Sequence, residues 1–226
     1  MRNTYLKSTL LEETVSKNVS VEMNGELVDF QELMLIYHSA IKSITTKLEI
    51  LKDDLSHHYQ DNPIQIIKSR VKEPKSIINK LDRQGKDISA GSIISSLNDV
   101  AGIRVIVGFV SDIYTISDML VKQDDIILVE TKDYFKNPKT NGYRSYHMII
   151  EVPVFFSEKK HFVKVEIQIR TIAMDFWASL EHQLRYKKNI KDFNSIEIEL
   201  KKCAEIIAKT NLKMMDIKNK LERDNG

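Results

Sequence analysis

The chain has 226 residues, 42% of them hydrophobic and 29% charged, a composition that supports a sizeable core and excludes a disordered polymer. Its formal charge of +2 lacks the basic excess of a general nucleic-acid binder, so any polyanion must be held by local clusters. No apolar run approaches the ~18 residues of a membrane span, the N-terminus lacks a signal-peptide core, and the single cysteine, Cys203, excludes an intramolecular disulfide; a cytoplasmic protein is expected.

Residues 1–27 have weak periodicity and receive no assignment. From Phe30 the apolar positions Phe30, Met34, Tyr37, Ile41, Ile44, Leu48, Leu51 and Leu55 alternate in steps of four and three, which predicts a long amphipathic helix ended by Asn62-Pro63. Ser69 to Leu81 is basic, and Pro74 suits the first turn of a helix. Arg70 and Lys72 then stand at or before a helix N-terminus, with Ser76 and Lys80 one turn apart on the face opposite Ile77 and Leu81. Free N–H groups, a hydroxyl and basic side chains can hold phosphate without a glycine loop, although a basic helix face also occurs as plain solvated surface.

Strands are expected at Ala101–Phe109, Ile126–Glu130, Ser145–Phe155 and His161–Ile169. A helix over Asp112–Gln123, capped by Ser111, separates the first two and leaves room for their parallel pairing, while Ser157–Lys160 joins the last two as an antiparallel hairpin. The fold class is therefore α+β, a mixed sheet of about four or five strands flanked by helices. Within the first strand Arg104 lies on the face opposite Ile103, Val105 and Val107, where it needs a carboxylate, a phosphate or a base plane; Glu166 or Asp99 would serve as an internal partner. In the last strand Lys164, Glu166, Gln168 and Arg170 share one face, which implies a cleft rather than a core. Thr171 can cap a following helix whose apolar stripe is Ile172, Phe176, Trp177, Leu180 and Leu184, with Asp175, Ser179 and His182 on its other side. Met174 and Trp177 read as packing residues. A last amphipathic run, Ile196, Leu200, Cys203, Ile207, Thr210, Met214, Ile217 and Leu221, forms a long C-terminal helix.

The run Asn141-Gly-Tyr-Arg-Ser-Tyr-His147 puts an aromatic ring, a guanidinium and an imidazole beside an Asn-Gly turn, which suits a base and its phosphates. Arg70-x-Lys72-x-x-x-Ser76-x-x-x-Lys80, Asp99-x-Ala-Gly-x-Arg104, Gly142-Tyr-Arg-Ser-Tyr-His147 and Glu166-x-Gln-x-Arg-Thr171 resemble, in order and spacing, the synthetase domain of RelA/SpoT-type enzymes over roughly Pro63 to Lys187. The terminal helices and the stretch Met174 to His182 are similar to the stand-alone small alarmone synthetases. The likeness is to their RelP branch more than to RelQ, where Asn commonly stands at the place of Asp175.

That resemblance implies a nucleotidyltransferase-like synthetase fold and a GTP pyrophosphokinase that moves the β,γ-pyrophosphate of ATP to the 3′-hydroxyl of GTP or GDP, giving (p)ppGpp and AMP. By the same resemblance Arg70 and Arg104 clasp adenine, and Lys72, Ser76 and Lys80 hold the ATP phosphates. Asp99 and Glu166 bind Mg²⁺, with Glu166 also the candidate base. Tyr143 stacks on guanine, Arg144 and His147 lie near the acceptor phosphates, Gln168 belongs to the acceptor site, and Asp175 reads the guanine edge. No His-Asp dipeptide occurs, so no hydrolase domain and no hydrolase activity are expected. Residues 1–62 and 189–226 are expected to build a homotetramer through heptad-like stripes, and 63–188 to form the synthetase domain; packing of either stripe on the chain's own sheet is the alternative. The rival functions are a catalytically silent nucleotide or alarmone sensor, or an RNA-binding regulatory protein of the same fold, single-stranded RNA being a secondary partner at this charge.

Overall fold

The computed structural model describes residues 21–23, 26–28, 30–58, 62–185 and 193–224; the expectation for the first twenty residues lies outside them. A short antiparallel pair, β1 (Val21–Met23) and β2 (Glu26–Val28), precedes helix α1 (Phe30–His58). Then follow β3 (Ile64–Val71), α2 (Pro74–Arg83), α3 (Ala90–Ser96), β4 (Ala101–Val107), α4 (Val110–Val121), β5 (Ile127–Asp133), β6 (Tyr146–Phe155), β7 (Lys160–Thr171), α5 (Ile172–Arg185) and α6 (Phe193–Asp224). The main sheet has five strands in the order β3-β4-β7-β6-β5. Only β4 and β7 run parallel; every other neighbouring pair is antiparallel.

The mixed sheet and the β6–β7 hairpin agree with the sequence pattern, but the parallel partner of β4 is β7 rather than β5. The strand β3 is an addition. It forms the sheet edge beside β4, and most of its side chains are exposed, so it carries no burial alternation. Helix α4 starts at Val110 rather than Asp112: Phe109 is its N-cap, and the Asp112 carboxylate accepts from the Phe109 N–H at 2.9 Å, which takes the place expected of Ser111. Ser89 caps α3 by accepting from the Ser92 N–H at 3.1 Å.

One face of the sheet is the core. Ile103, Val105 and Val107 of β4, Val163, Val165, Ile167 and Ile169 of β7, and Met148, Ile150 and Val152 of β6 meet Leu33, Ile36, Ala40, Ile44 and Leu48 of α1 and Ile113, Ile116 and Leu120 of α4. Helix α1 thus packs its apolar stripe on the chain's own sheet, the alternative weighed for it, while Leu35 and Ile50 on the same helix are exposed. The same residues place α1 in one hydrophobic core with the sheet.

Helix α5 also turns out differently. Met174, Trp177 and Ala178 are its buried residues, while Ile172, Phe176, Leu180 and Leu184 are exposed. Small residues explain this: Ala178 and Ala204 let α5 and α6 approach closely around Trp177, whose Nε1–H donates to the Leu200 carbonyl at 2.8 Å. On α6 the buried residues are Ala204, Ala208 and Asn211, and Ile206, Met214, Ile217 and Leu221 face outward. The expected C-terminal stripe therefore begins on the packed face and drifts onto the open one.

Candidate active site

The other face of the sheet centre carries the polar side chains of β4, β6 and β7. Asp99 stands in the turn before β4, and two lysines converge on it. Lys72 Nζ donates to one carboxylate oxygen at 2.6 Å and Lys80 Nζ to the other at 2.8 Å. Lys72 is held by its own N–H, which donates to the Val100 carbonyl at 2.8 Å, and Lys80 by α2, which is anchored through the buried Ile77 and Leu81. Burial alone would raise the Asp99 carboxyl, but the two ammonium groups outweigh it and hold the group below the usual carboxylate range. Ser76 is exposed on α2.

Glu166 lies across the β4–β7 pair, in register with Gly102. His147 Nδ1 sits 3.1 Å from one of its carboxylate oxygens, and Gln168 Nε2 donates to the other at 2.9 Å. Burial pushes this carboxyl up, while His147 and Gln168 bring it down further, so the net shift is downward and the group is ionised at neutral pH. The Tyr143 hydroxyl lies 2.8 Å from His147 Nε2 and accepts from Arg170 Nη2 at 2.7 Å.

Arg170 is buried in this face, and Asp175 in the first turn of α5 answers its charge: Arg170 Nη1 donates to Asp175 Oδ1 at 3.0 Å. Arg104 Nη1 approaches the same oxygen at 3.3 Å. The partner of Arg104 is therefore Asp175, not Glu166 or Asp99, a pairing that the α5 cap makes possible: Thr171 Oγ1 accepts from the Met174 N–H at 3.2 Å and turns the chain back over the strand ends. Burial and the neighbouring Arg170 push the Arg104 guanidinium below its ordinary value, with Asp175 opposing them.

The Asn141–His147 segment reaches the cleft through a turn in which the Gly142 N–H donates to the Lys139 carbonyl at 2.8 Å. Gly142 has φ +89°, and a Cβ there would lie 2.7 Å from the Ala204 Cβ of α6. Both conditions demand glycine. Gly142→Ala is expected to cost ~2 kcal/mol or more; a thermal melt indistinguishable from wild type would refute it. Beyond the turn, Lys139 Nζ stands 4.7 Å from the Tyr134 ring centroid and 5.0 Å from that of Tyr143, and Tyr134 packs edge-on against Tyr143 and His147.

Lys68, Ser69, Arg70, Asp99, Gly102, Ile103, Arg104, Glu166 and Gln168 line an open cleft of about 210 Å³. Tyr143, His147 and Asp175 join this group through the hydrogen bonds above. Arg144 does not: it donates to the Phe135 carbonyl at 2.6 Å and lies over the Phe135 ring, away from the cleft. Lys68, Ser69, Tyr134, Lys139 and a structural use for Arg170 go beyond the residues singled out from sequence. Only Arg170 carried a signal there, its place on the polar face of β7.

Two carboxylates, lysines and arginines gather around one cleft at the parallel β4–β7 centre, and the family model described as "Region found in RelA / SpoT proteins" matches residues 69–191. The chain belongs to this RelA/SpoT family. It is 43% identical to GTP pyrophosphokinase YwaC of Bacillus subtilis (strain 168) over 89% of this chain and 96% of that one. Among solved structures it is similar to small alarmone synthetase 2 from Bacillus subtilis, with TM-score 0.77, 44% identity, and coverage of 85% of this chain and 100% of that one. It also resembles small alarmone synthetase 1 from Bacillus subtilis bound to its product pppGpp, with TM-score 0.78, 31% identity, and coverage of 84% and 97%. Among the described residues no helix is long and apolar enough to cross a membrane.

Proposed function

We propose that the chain is a GTP diphosphokinase, transferring the β,γ-pyrophosphate of ATP to the 3′-hydroxyl of GDP or GTP to give (p)ppGpp and AMP, with synthesis as its only activity. The observation that carries this reading is the cleft of Asp99, Glu166 and their cationic partners in a chain so similar over its length to a named GTP pyrophosphokinase. The acceptor 3′-oxygen forms a bond to the β-phosphorus, the bond from that phosphorus to the α-phosphate oxygen breaks, and AMP leaves. Glu166 receives the hydroxyl proton, and Arg70 and Arg104 flank the adenine. Lys72 and Lys80 exchange Asp99 for the ATP phosphates, with Ser76 at the mouth of that site. Tyr143 presents its ring to guanine, and His147, Gln168 and Asp175 surround the acceptor; for Arg144 the packing on Phe135 makes loop support the better role.

The donor set suits a divalent metal ion, Mg²⁺. Asp99 and Glu166 open on one cleft, while among the described residues no cluster of three or more His, Cys, Asp or Glu forms a metal cage. Two carboxylates plus substrate phosphates are the usual ligands of such an ion. When bound it supplies neutralisation of the charge that develops on the phosphates.

Incubation of the purified chain with labelled ATP, GDP and Mg²⁺ tests the reading. A 3′-pyrophosphorylated guanosine product and AMP in equal amounts support it; nucleotide binding without AMP release supports a silent sensor and overturns it. We further propose assembly as a homotetramer in the cytoplasm, residues 63–188 carrying the chemistry. Support comes from exposed apolar side chains on both terminal helices and α5: Phe176 is 60% and Ile206 63% exposed, with Leu35, Ile50, Leu180, Ile217 and Leu221 also open to solvent. Large apolar side chains open to solvent are what a partner copy would cover. Light scattering at micromolar concentration is expected to give four times the chain mass, and a monomer there would remove the proposal.

A further inference from the structure

Arg170 belongs to none of the roles assigned above, yet it sits at the origin of both hydrogen-bond paths that end on Glu166. Its Nη2 donates to the Tyr143 hydroxyl at 2.7 Å and to Gln168 Oε1 at 2.8 Å. A guanidinium can only donate, and Nη2 has two hydrogens, so each partner must accept. Gln168 is thereby fixed with its amide oxygen toward Arg170, and its NH₂ is left to face Glu166 Oε2, at 2.9 Å. Tyr143 has one proton. Its oxygen already accepts from Arg170, and the nearest acceptor for that proton is His147 Nε2, at 2.8 Å. The imidazole then carries its proton on Nδ1, which faces Glu166 Oε1 at 3.1 Å.

The other neutral tautomer fails at both ends. Its bare Nδ1 lone pair would oppose the carboxylate oxygen, and the phenol proton would have no acceptor among these contacts. A doubly protonated ring would also strand the phenol proton and would add a cation next to the Arg170–Tyr143 contact. One orientation makes all five contacts among Arg170, Tyr143, His147, Glu166 and Gln168 donor to acceptor, while the buried Arg170 Nε, outside these contacts, has no hydrogen-bond partner.

We propose that Arg170 is a positioning residue for Glu166: through its single Nη2 it orients Tyr143 and His147 toward one carboxylate oxygen and Gln168 toward the other, leaving the remaining lone pairs of Glu166 aimed at the cleft. This rests on the reading of Glu166 as the group that meets the acceptor hydroxyl. The arginine is itself held, its side chain only 5% exposed and its Nη1 bonded to Asp175. Pre-organisation of this kind acts on turnover rather than on substrate affinity, because the carboxylate is needed in place when charge develops.

The test combines a spectroscopic and a kinetic measurement on the full-length chain. Nitrogen-15 shifts of His147, assigned with a His147→Asn variant, are expected to show the proton on Nδ1 in the wild-type protein without nucleotide. Tyr143→Phe keeps the ring and removes only the hydroxyl. It is expected to lower kcat about tenfold or more while the acceptor KM stays within about threefold. Arg170→Lys retains the charge but cannot serve Tyr143, Gln168 and Asp175 together, and its effect is expected to shrink once the Tyr143 hydroxyl is gone. A wild-type His147 protonated on Nε2, an unchanged kcat in Tyr143→Phe, or additive effects of the two substitutions would each overturn the proposal. Failure of the wild-type chain to make any 3′-pyrophosphorylated product would instead overturn the functional reading, and the His147 shifts would still decide the orientation of the ring.

Discussion

Glu166→Gln is expected to abolish synthesis, lowering turnover by roughly a thousandfold, while the fold and ATP binding survive. The side chain projects from the polar face of β7, and the core uses Val165 and Ile167 on either side of it, so the near-isosteric amide leaves packing untouched. What disappears is the charge. An amide is a poor ligand for a hard divalent ion and no acceptor for the proton of the attacking hydroxyl. The new NH₂ group would also confront a donor wherever it turned, His147 on one side and Gln168 on the other. Steady-state turnover above a tenth of wild type would count against both roles of Glu166.

The second large effect is expected from Asp175→Ala. The resemblance read from the sequence implies one task for this residue, the guanine edge. The structure adds another, since one carboxylate oxygen answers both Arg170 and Arg104. Alanine would leave the buried Arg170 without its counter-charge, which costs ~3 kcal/mol when a buried pair loses one partner. A thermal midpoint lower by roughly 6–12 °C follows for a chain of this size. Release of Arg104, proposed to lie on adenine, should raise the KM for ATP alongside that for the acceptor. Melting and two-substrate kinetics on the same preparation decide the matter, and an unchanged midpoint together with an unchanged ATP KM would show that the clamp is idle.

Those two residues also show what was legible in the sequence. The alternation in β7 placed Glu166, Gln168 and Arg170 on one face because a strand buried on its other side repeats every second residue. The basic spacing from Arg70 to Lys80 placed the lysines, although not their meeting on Asp99. Arg104 announced its need for a partner but not which one, because Asp175 comes near only after α5 folds back over the strand ends. The strand β3 escaped notice since an edge strand with exposed side chains shows no hydrophobic rhythm. Helix α5 misled for a related reason: Met174, Trp177 and Ala178 pack inward, with Ala178 and Ala204 letting the helices come close, while Ile172, Phe176, Leu180 and Leu184 stay exposed although bulk usually marks the core.

The parallel pairing of β4 with β7 has a consequence for the order of events during folding. Asp99 and Arg104 belong to β4 and its approach, Glu166 and Arg170 to β7, and α4, β5 and β6 all lie between them in the chain. Bringing the two strands together closes a long loop, whose entropy must be paid before the pairing repays it. Asp175 joins only with the following helix. Along the chain the lysine–aspartate half is therefore made first and the glutamate half after it, and the site is complete only once β7 and α5 are in place. Pulse-labelled amide exchange during refolding should find β4 and β7 protected together, after the β6–β7 hairpin, whose strands lie next to each other in the chain.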